Sequence, residues 1–249
     1  MHESATLPAP GDDGGPRAAS AESLSELWDQ NAASRAAELD EGVDEAYKAL
    51  TSICIDALEL RGTRGRVLDA GCGVGALTDA LARAGRNPVG IDPSITSIDW
   101  ARRRFPGLEL ECLSIEAFAR QWESAFEAVI ANMVLHTAPD LDSFTRSSAR
   151  VTRPGGLFLA TLPHPAFYLF GKAGLDWVDA VYGTDDCYLI PFRIRSGRVH
   201  PARVPYFQRT IERYSESLYL AGYRDVHITE PAQVGKGRPF DVLVISGTR

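Results

Sequence analysis

The stretch Arg66-Val-Leu-Asp-Ala-Gly-Cys-Gly-Val-Gly-Ala-Leu-Thr78 constrains the fold more than any other part of this 249-residue chain. An apolar run ends at Asp69 and passes directly into Gly71, Gly73 and Gly75. Leu77, Ala80 and Leu81 then begin a helical pattern. That order reads as strand, tight turn, helix. Glycines at alternate positions permit positive φ and let a ligand lie against bare main chain, while the amides of the following helix face it. The spacing is G-x-G-x-G behind an acid. A dinucleotide fingerprint requires G-x-G-x-x-G, and Ala76 and Leu77 break that pattern.

The same rhythm continues downstream. Strands are expected at about 66–70, 88–91, 108–112, 125–131 and 157–161, with helices at about 75–84, 94–105, 115–121 and 140–151 between them. The strands are continuous apolar runs, such as Ala128-Val-Ile-Ala131, which suits parallel strands covered on both faces. Arg153-Pro-Gly-Gly156 reads as a turn. A helix at about 206–221 and strands at 225–229 and 240–246 close the chain. Ahead of this unit, residues 23–60 read as two helices separated at Gly42, and residues 1–20, rich in Pro, Gly, Ala, Ser and Asp, read as disordered. Residues 163–205 break the rhythm with five prolines and with Phe167, Tyr168, Phe170, Trp177, Tyr182, Tyr188 and Phe192. The fold class is therefore α/β: a doubly wound, seven-stranded, mostly parallel sheet with an N-terminal helical extension and an insert after strand 5.

The D-x-G-x-G-x-G run of residues 69–75 resembles the first motif of class I S-adenosylmethionine-dependent methyltransferases, of the small-molecule, quinone-biosynthesis and natural-product tailoring type. The resemblance implies a Rossmann-like sheet of order 3-2-1-4-5-7-6 with strand 7 antiparallel, and S-adenosylmethionine as cofactor. It divides the chain into a tail (1–20), a helical lid (21–60) and a cofactor-binding domain (61–249) whose insert (163–205) covers the substrate. Asp69, Gly71, Cys72, Gly73 and Gly75 then form the cofactor loop. Gly90-Ile-Asp-Pro-Ser94 looks like the ribose-binding acid motif, with Asp92 and Pro93 at the sugar; the other reading of Asp92 is a helix cap. Ser114 and Ile115 fall where the family lines the adenine, although an Asp is usual at position 114. Glu116 is either a substitute for it or a solvated first-turn acid. Asn132 and Met133 match the segment beneath the methionine moiety. Trp28, with Asn31 and Arg35, lies in a Trp-x-x-Asn-Ala segment that resembles a lid over the cofactor, or packs as an ordinary amphipathic helix.

Two histidines are candidates for catalysis. His164 lies between prolines directly after strand 5, and His136 follows strand 4; each can take a proton from an acceptor, or simply hold a loop or cap a helix. The aromatic insert is expected to bury an apolar acceptor, or to form a small satellite core or dimer contact.

Composition narrows the partners. The net charge is −7, and no basic run favours a nucleic acid. Four scattered cysteines without a C-x-x-C offer no metal spacing and suit a reducing, cytoplasmic setting. No stretch is apolar enough to cross a membrane. The expected activity is methyl transfer to a small bacterial secondary metabolite by a monomer or homodimer. The alternative is a non-methylating, cyclase- or pericyclase-like reaction on the same fold.

Overall fold

The computed structural model describes residues 21–168, 182–183, 185–193, 199–231, 234 and 241–249. The expected tail (1–20), Phe170 and Trp177 lie outside the described residues. In chain order the elements are α1 (Ala21–Glu41), α2 (Glu45–Leu60), β1 (Arg66–Ala70), α3 (Ala76–Arg83), β2 (Asn87–Ile91), α4 (Ile95–Arg104) and β3 (Glu109–Glu111). There follow α5 (Ile115–Phe118), β4 (Phe126–Asn132), a 3-10 turn (Leu135–Thr137), α6 (Leu141–Val151) and β5 (Thr152–Pro163). Then come β6 (Cys187–Arg193), β7 (Val199–Phe207), α7 (Ile211–Leu220), β8 (Arg224–Thr229) and β9 (Val242–Thr248).

Seven strands pair in the order β3-β2-β1-β4-β5-β9-β8. β1, β2, β3, β4 and β5 are mutually parallel, and β9 runs antiparallel to both β5 and β8. Successive residues of the central strands feed opposite faces. Leu68, Val129, Phe158 and Ala160 join a core with Phe118, Phe144, Tyr214 and Leu218, from α5, α6 and α7. Val67, Ala128, Ile130, Leu157 and Leu159 join another with Leu50, Cys54, Leu58, Leu77 and Leu81, from α2 and α3. Continuous apolar runs are what a sheet covered on both faces demands.

Local signals set most boundaries. Ser94, Asp140 and Thr210 cap α4, α6 and α7, each side chain accepting the amide hydrogen of the residue three positions on. Two expectations are corrected. Residues 153–156 do not leave the sheet, because β5 begins at Thr152. The amide of Gly155 donates to the carbonyl of Arg249, the amide of Arg249 donates to the carbonyl of Gly156, and the ladder to β4 shifts register there. Helix α7 starts at Ile211, not near 206, because Tyr206 and Phe207 belong to β7.

The described part of the insert is a second sheet, the antiparallel hairpin β6–β7. Ile190, Val204 and Tyr206 are buried in it, with Trp28 of α1 and Tyr168, Tyr188 and Phe192 packed against them. Helix α1 lies against both β7 and α4, and β7 lies on the 3-10 turn after β4. The N-terminal helix and the hairpin therefore meet at the end of the sheet where the parallel strands finish.

Candidate functional site

The glycine loop joins β1 to α3. Gly71, Gly73 and Gly75 all have positive φ, at 86°, 52° and 81°. A Cβ on Gly71 would come 2.5 Å from Val134 in the loop after β4, so that position is fixed by packing. A Cβ on Gly73 would meet nothing within 4 Å. The crest of the loop is therefore open main chain, the surface that a ligand needs for close approach.

Asp92 stands at the end of β2 beside that crest. Its carboxylate accepts hydrogen bonds from the Gly73 amide and the Ser94 amide, both at 2.9 Å. Ser94, not Asp92, caps α4. Asp69 is buried beneath the loop and accepts a 2.6 Å hydrogen bond from the Thr78 hydroxyl. A third carboxylate, Asp29 of α1, accepts from the Ser94 hydroxyl (2.6 Å) and the Thr96 amide (3.0 Å). All three carboxylates are held by neutral donors, and among the described residues none of them forms a salt bridge. Burial pushes Asp69 up to about 7, with repulsion from Asp92 adding to it. Burial pushes Asp92 up to about 6, with Asp29 adding the same sign, against the two amides that favour its charge. The site carries uncompensated negative charge next to exposed peptide. That is the complement of a ligand with a sulfonium, an ammonium and a ribose, and a poor place for a pyrophosphate.

The remaining expected residues fall around this point. Cys72 is buried in the loop, with Sγ 3.7 Å from the Gly73 carbonyl. Pro93 is exposed between Asp92 and Ser94. Ser114 caps α5 by accepting from the Ala117 amide at 3.3 Å, and Ile115 is buried in the core behind it. Asn132 is buried at the end of β4; its Oδ1 accepts from the Thr161 hydroxyl at 2.5 Å, and among the described residues its Nδ2 has no partner. Met133 has φ 62°, left-handed backbone in a residue that disfavours it, and its amide donates to the Thr161 carbonyl at 2.8 Å. Trp28 packs edge-on to Phe192 of the hairpin, with centroids 5.5 Å apart.

The two histidines differ in setting. His164 is buried, its Nδ1 accepts the Ala166 amide (3.2 Å), and its Nε2 lies 2.6 Å from Glu230 Oε1. An Nδ1 that accepts an amide leaves the ring proton on Nε2, which then donates to Glu230. Both ring nitrogens are thus used by protein atoms. His136 sits in the 3-10 turn, two residues after the Val134 that packs on Gly71, with its ring 5.6 Å from that of Tyr206.

Sequence reasoning missed Asp29 and Tyr206. Asp29 stands beside Trp28 and carries no local signal of its partner, the start of α4. Tyr206 was placed at the start of a helix. Among the described residues no cluster of three or more metal-ligating side chains is present.

Sheet order, bare glycine crest and strand-end acid together define the α/β fold of the class I S-adenosylmethionine-dependent methyltransferases. Residues 68–160 match the family model described as a methyltransferase domain. It is 34% identical over 131 residues to a ubiquinone biosynthesis O-methyltransferase of Alkalilimnicola ehrlichii, covering 50% of this chain and 51% of that protein. It is 39% identical over 131 residues to the protein of the same name from Methylocella silvestris, covering 49% and 50%. The chain thus matches about half the length of these relatives. Among solved structures, it resembles Burkholderia thailandensis 1,6-didemethyltoxoflavin-N1-methyltransferase, with bound 1,6-didemethyltoxoflavin and S-adenosylhomocysteine, at TM-score 0.60 and 20% identity over 95% of this chain and 92% of that one. A methyltransferase from Listeria monocytogenes described as S-adenosylmethionine-dependent gives TM-score 0.59 at 21% identity, over 81% and 99%.

Proposed function

We propose that this protein binds S-adenosylmethionine on the Gly71–Gly75 loop and transfers its methyl group to a small molecule. The observation that carries the reading is the group of three carboxylates, Asp29, Asp69 and Asp92, without cationic partners among the described residues, around the open crest at Gly73. In this reading Asp92 holds the ribose hydroxyls, Asp69 sets the negative field beneath the loop, and Asn132 and Met133 line the amino-acid end. Ser114 and Ile115 border the adenine. The cofactor supplies an already activated methyl donor, so the protein's task is to position the acceptor and exclude water. His136 is the proposed proton acceptor, because its turn adjoins the loop that packs on Gly71; His164, tied to Glu230, is proposed to shape the acceptor side.

The relatives named as O-methyltransferases favour a hydroxyl oxygen as the methylated atom. The aromatic cluster of Trp28, Tyr168, Tyr188, Phe192 and Tyr206 favours an aromatic acceptor, proposed to be a secondary-metabolite intermediate. No described helix is long and apolar enough to cross a membrane. The four free cysteines favour a reducing compartment, the cytoplasm in this proposal.

Titration calorimetry tests the cofactor assignment. S-adenosylhomocysteine is expected to bind, and Asp92→Ala to weaken it roughly ten- to a hundred-fold, the loss of about two charge-assisted hydrogen bonds. Equal affinity in both proteins removes Asp92 from the ribose.

A further inference from the structure

Tyr206 lies on β7 where the hairpin meets the 3-10 turn, and its side chain is fully buried. Its ring stacks on Tyr168 with centroids 4.9 Å apart and an interplanar angle of 22°. The imidazole of His136 is 5.6 Å away. Ile190 and Val204 are buried in the same cluster, Trp28 packs against it, and Arg209, Tyr182 and Tyr214 lie near enough to act electrostatically on the phenol. Among the described residues the Tyr206 hydroxyl has no hydrogen-bond partner. Buried hydroxyls rarely stay unpaired, because the desolvation cost is then uncompensated. Tyr223, equally buried, shows the usual arrangement, with its hydroxyl 3.1 Å from that of Thr152.

We propose that Tyr206 is an acceptor-recognition residue whose hydroxyl donates a hydrogen bond to an oxygen of a hydroxyl-bearing aromatic substrate, brought beside His136. The proposal rests on the methyltransferase reading of the loop and names the substrate class for that same site. Three features select this chemistry. Flat rings and aliphatic side chains pack about the Tyr206 ring, which suits an aromatic body, and the Arg209 guanidinium near the phenol suits an oxygen rather than a cation. Burial drives the phenol well above its ordinary pKa, so Tyr206 stays a donor and never serves as the base. That leaves the neighbouring imidazole to take the proton from the reacting hydroxyl. Access requires the hairpin and α1 to part from the 3-10 turn, since Tyr206 is fully buried.

Tyr206→Phe separates this role from a structural one, because it removes one oxygen and keeps the ring. The probe is catechol, titrated by calorimetry into the S-adenosylhomocysteine complex of each protein. Tyr206→Phe is expected to bind S-adenosylhomocysteine as the unaltered protein does, to unfold at an equal or higher urea concentration when ligand-free, and to bind catechol about five- to ten-fold more weakly, the loss of one neutral hydrogen bond. Equal catechol affinity in both proteins, or no catechol binding while S-adenosylhomocysteine still binds, overturns the role of Tyr206 and leaves the cofactor reading standing. A lower urea midpoint for ligand-free Tyr206→Phe also overturns it, since the hydroxyl would then have a partner in the protein. If the unaltered protein fails to bind S-adenosylhomocysteine, the methyltransferase reading falls and this proposal falls with it.

Discussion

Asp69 and Asp92 hold negative charge where the protein opposes it, and the sign of that opposition is measurable. Burial raises both carboxyls from an ordinary 3.8, to about 7 for Asp69 and about 6 for Asp92. Well below pH 3.8 each is protonated in the folded and the unfolded chain alike. Between about pH 4 and pH 7 the unfolded chain releases these protons first, so these two groups make the ligand-free protein less stable as pH rises; above pH 7 the penalty is constant. A ligand that brings an ammonium and ribose donors prefers the ionised carboxylates. Affinity for S-adenosylhomocysteine should therefore rise from pH 5 to pH 8, by about ten-fold or more, and then level off. Calorimetry at several pH values checks this, and a flat profile would mean that neither carboxylate meets the ligand.

At the scale of elements, helices α6 and α7 are clamped by a group of opposite sign. Arg213 donates to both oxygens of Asp142, at 2.9 and 2.7 Å, and the Ser217 hydroxyl adds a 2.7 Å hydrogen bond. The bond to Arg213 first, then that to Ser217, pull Asp142 down from 3.8 to about 2. The stabilisation is present above pH 4 and is lost as pH falls towards 2. Partial exposure of the pair screens it, so Asp142→Asn should cost about 1–2 kcal/mol at pH 7. Urea unfolding should show that gap at pH 7 and a gap shrunk to roughly a third at pH 2.5; a gap of unchanged size there would assign the effect to packing. Elements of this kind differ in how far they can be read from sequence. β1 was legible to the residue, because an apolar run, an acid and three glycines are all local signals. β7 was not. Its sequence V-H-P-A-R-V-P-Y-F carries two prolines that local rules count against a strand, and its support comes from outside: the Ala202 amide and carbonyl point away from β6 and bond Asn31 of α1. The site divides in the same way. Gly71, Gly73, Gly75 and Asp92 follow from one strand-turn-helix pattern and the strand beside it. Asp29 and Tyr206 acquire their meaning only when α1, α4 and the hairpin meet.

For the whole molecule, α1 and the hairpin act as one cover over the ends of the parallel strands. Asn31 donates to the Ala202 carbonyl at 3.1 Å and accepts from the Ala202 amide at 2.9 Å, substituting for a neighbouring strand. Trp28 meets Phe192, and buried Glu38 lies 3.0 Å from His200 Nε2 while Arg35 joins Glu38 to Asp44 at the start of α2. The same helix reaches the cofactor side through Asp29 at Ser94 and Thr96. A cover so tied to both the strand end and the hairpin opens as a unit, separately from a sheet that has its own cores on both faces. Asn31→Ala leaves the Ala202 amide and carbonyl buried without partners, at a cost of about 1–3 kcal/mol. Hydrogen exchange should then quicken roughly ten- to a hundred-fold in residues 199–207 and in α1, with β1 and β4 unchanged. Asn31→Asp keeps an acceptor for the Ala202 amide but sets a buried carboxylate oxygen against the Ala202 carbonyl, so its exchange should be at least as fast as that of Asn31→Ala. Equal acceleration in β4 would show instead that cover and sheet unfold together, and that acceptor entry beside Tyr206 cannot be a local opening.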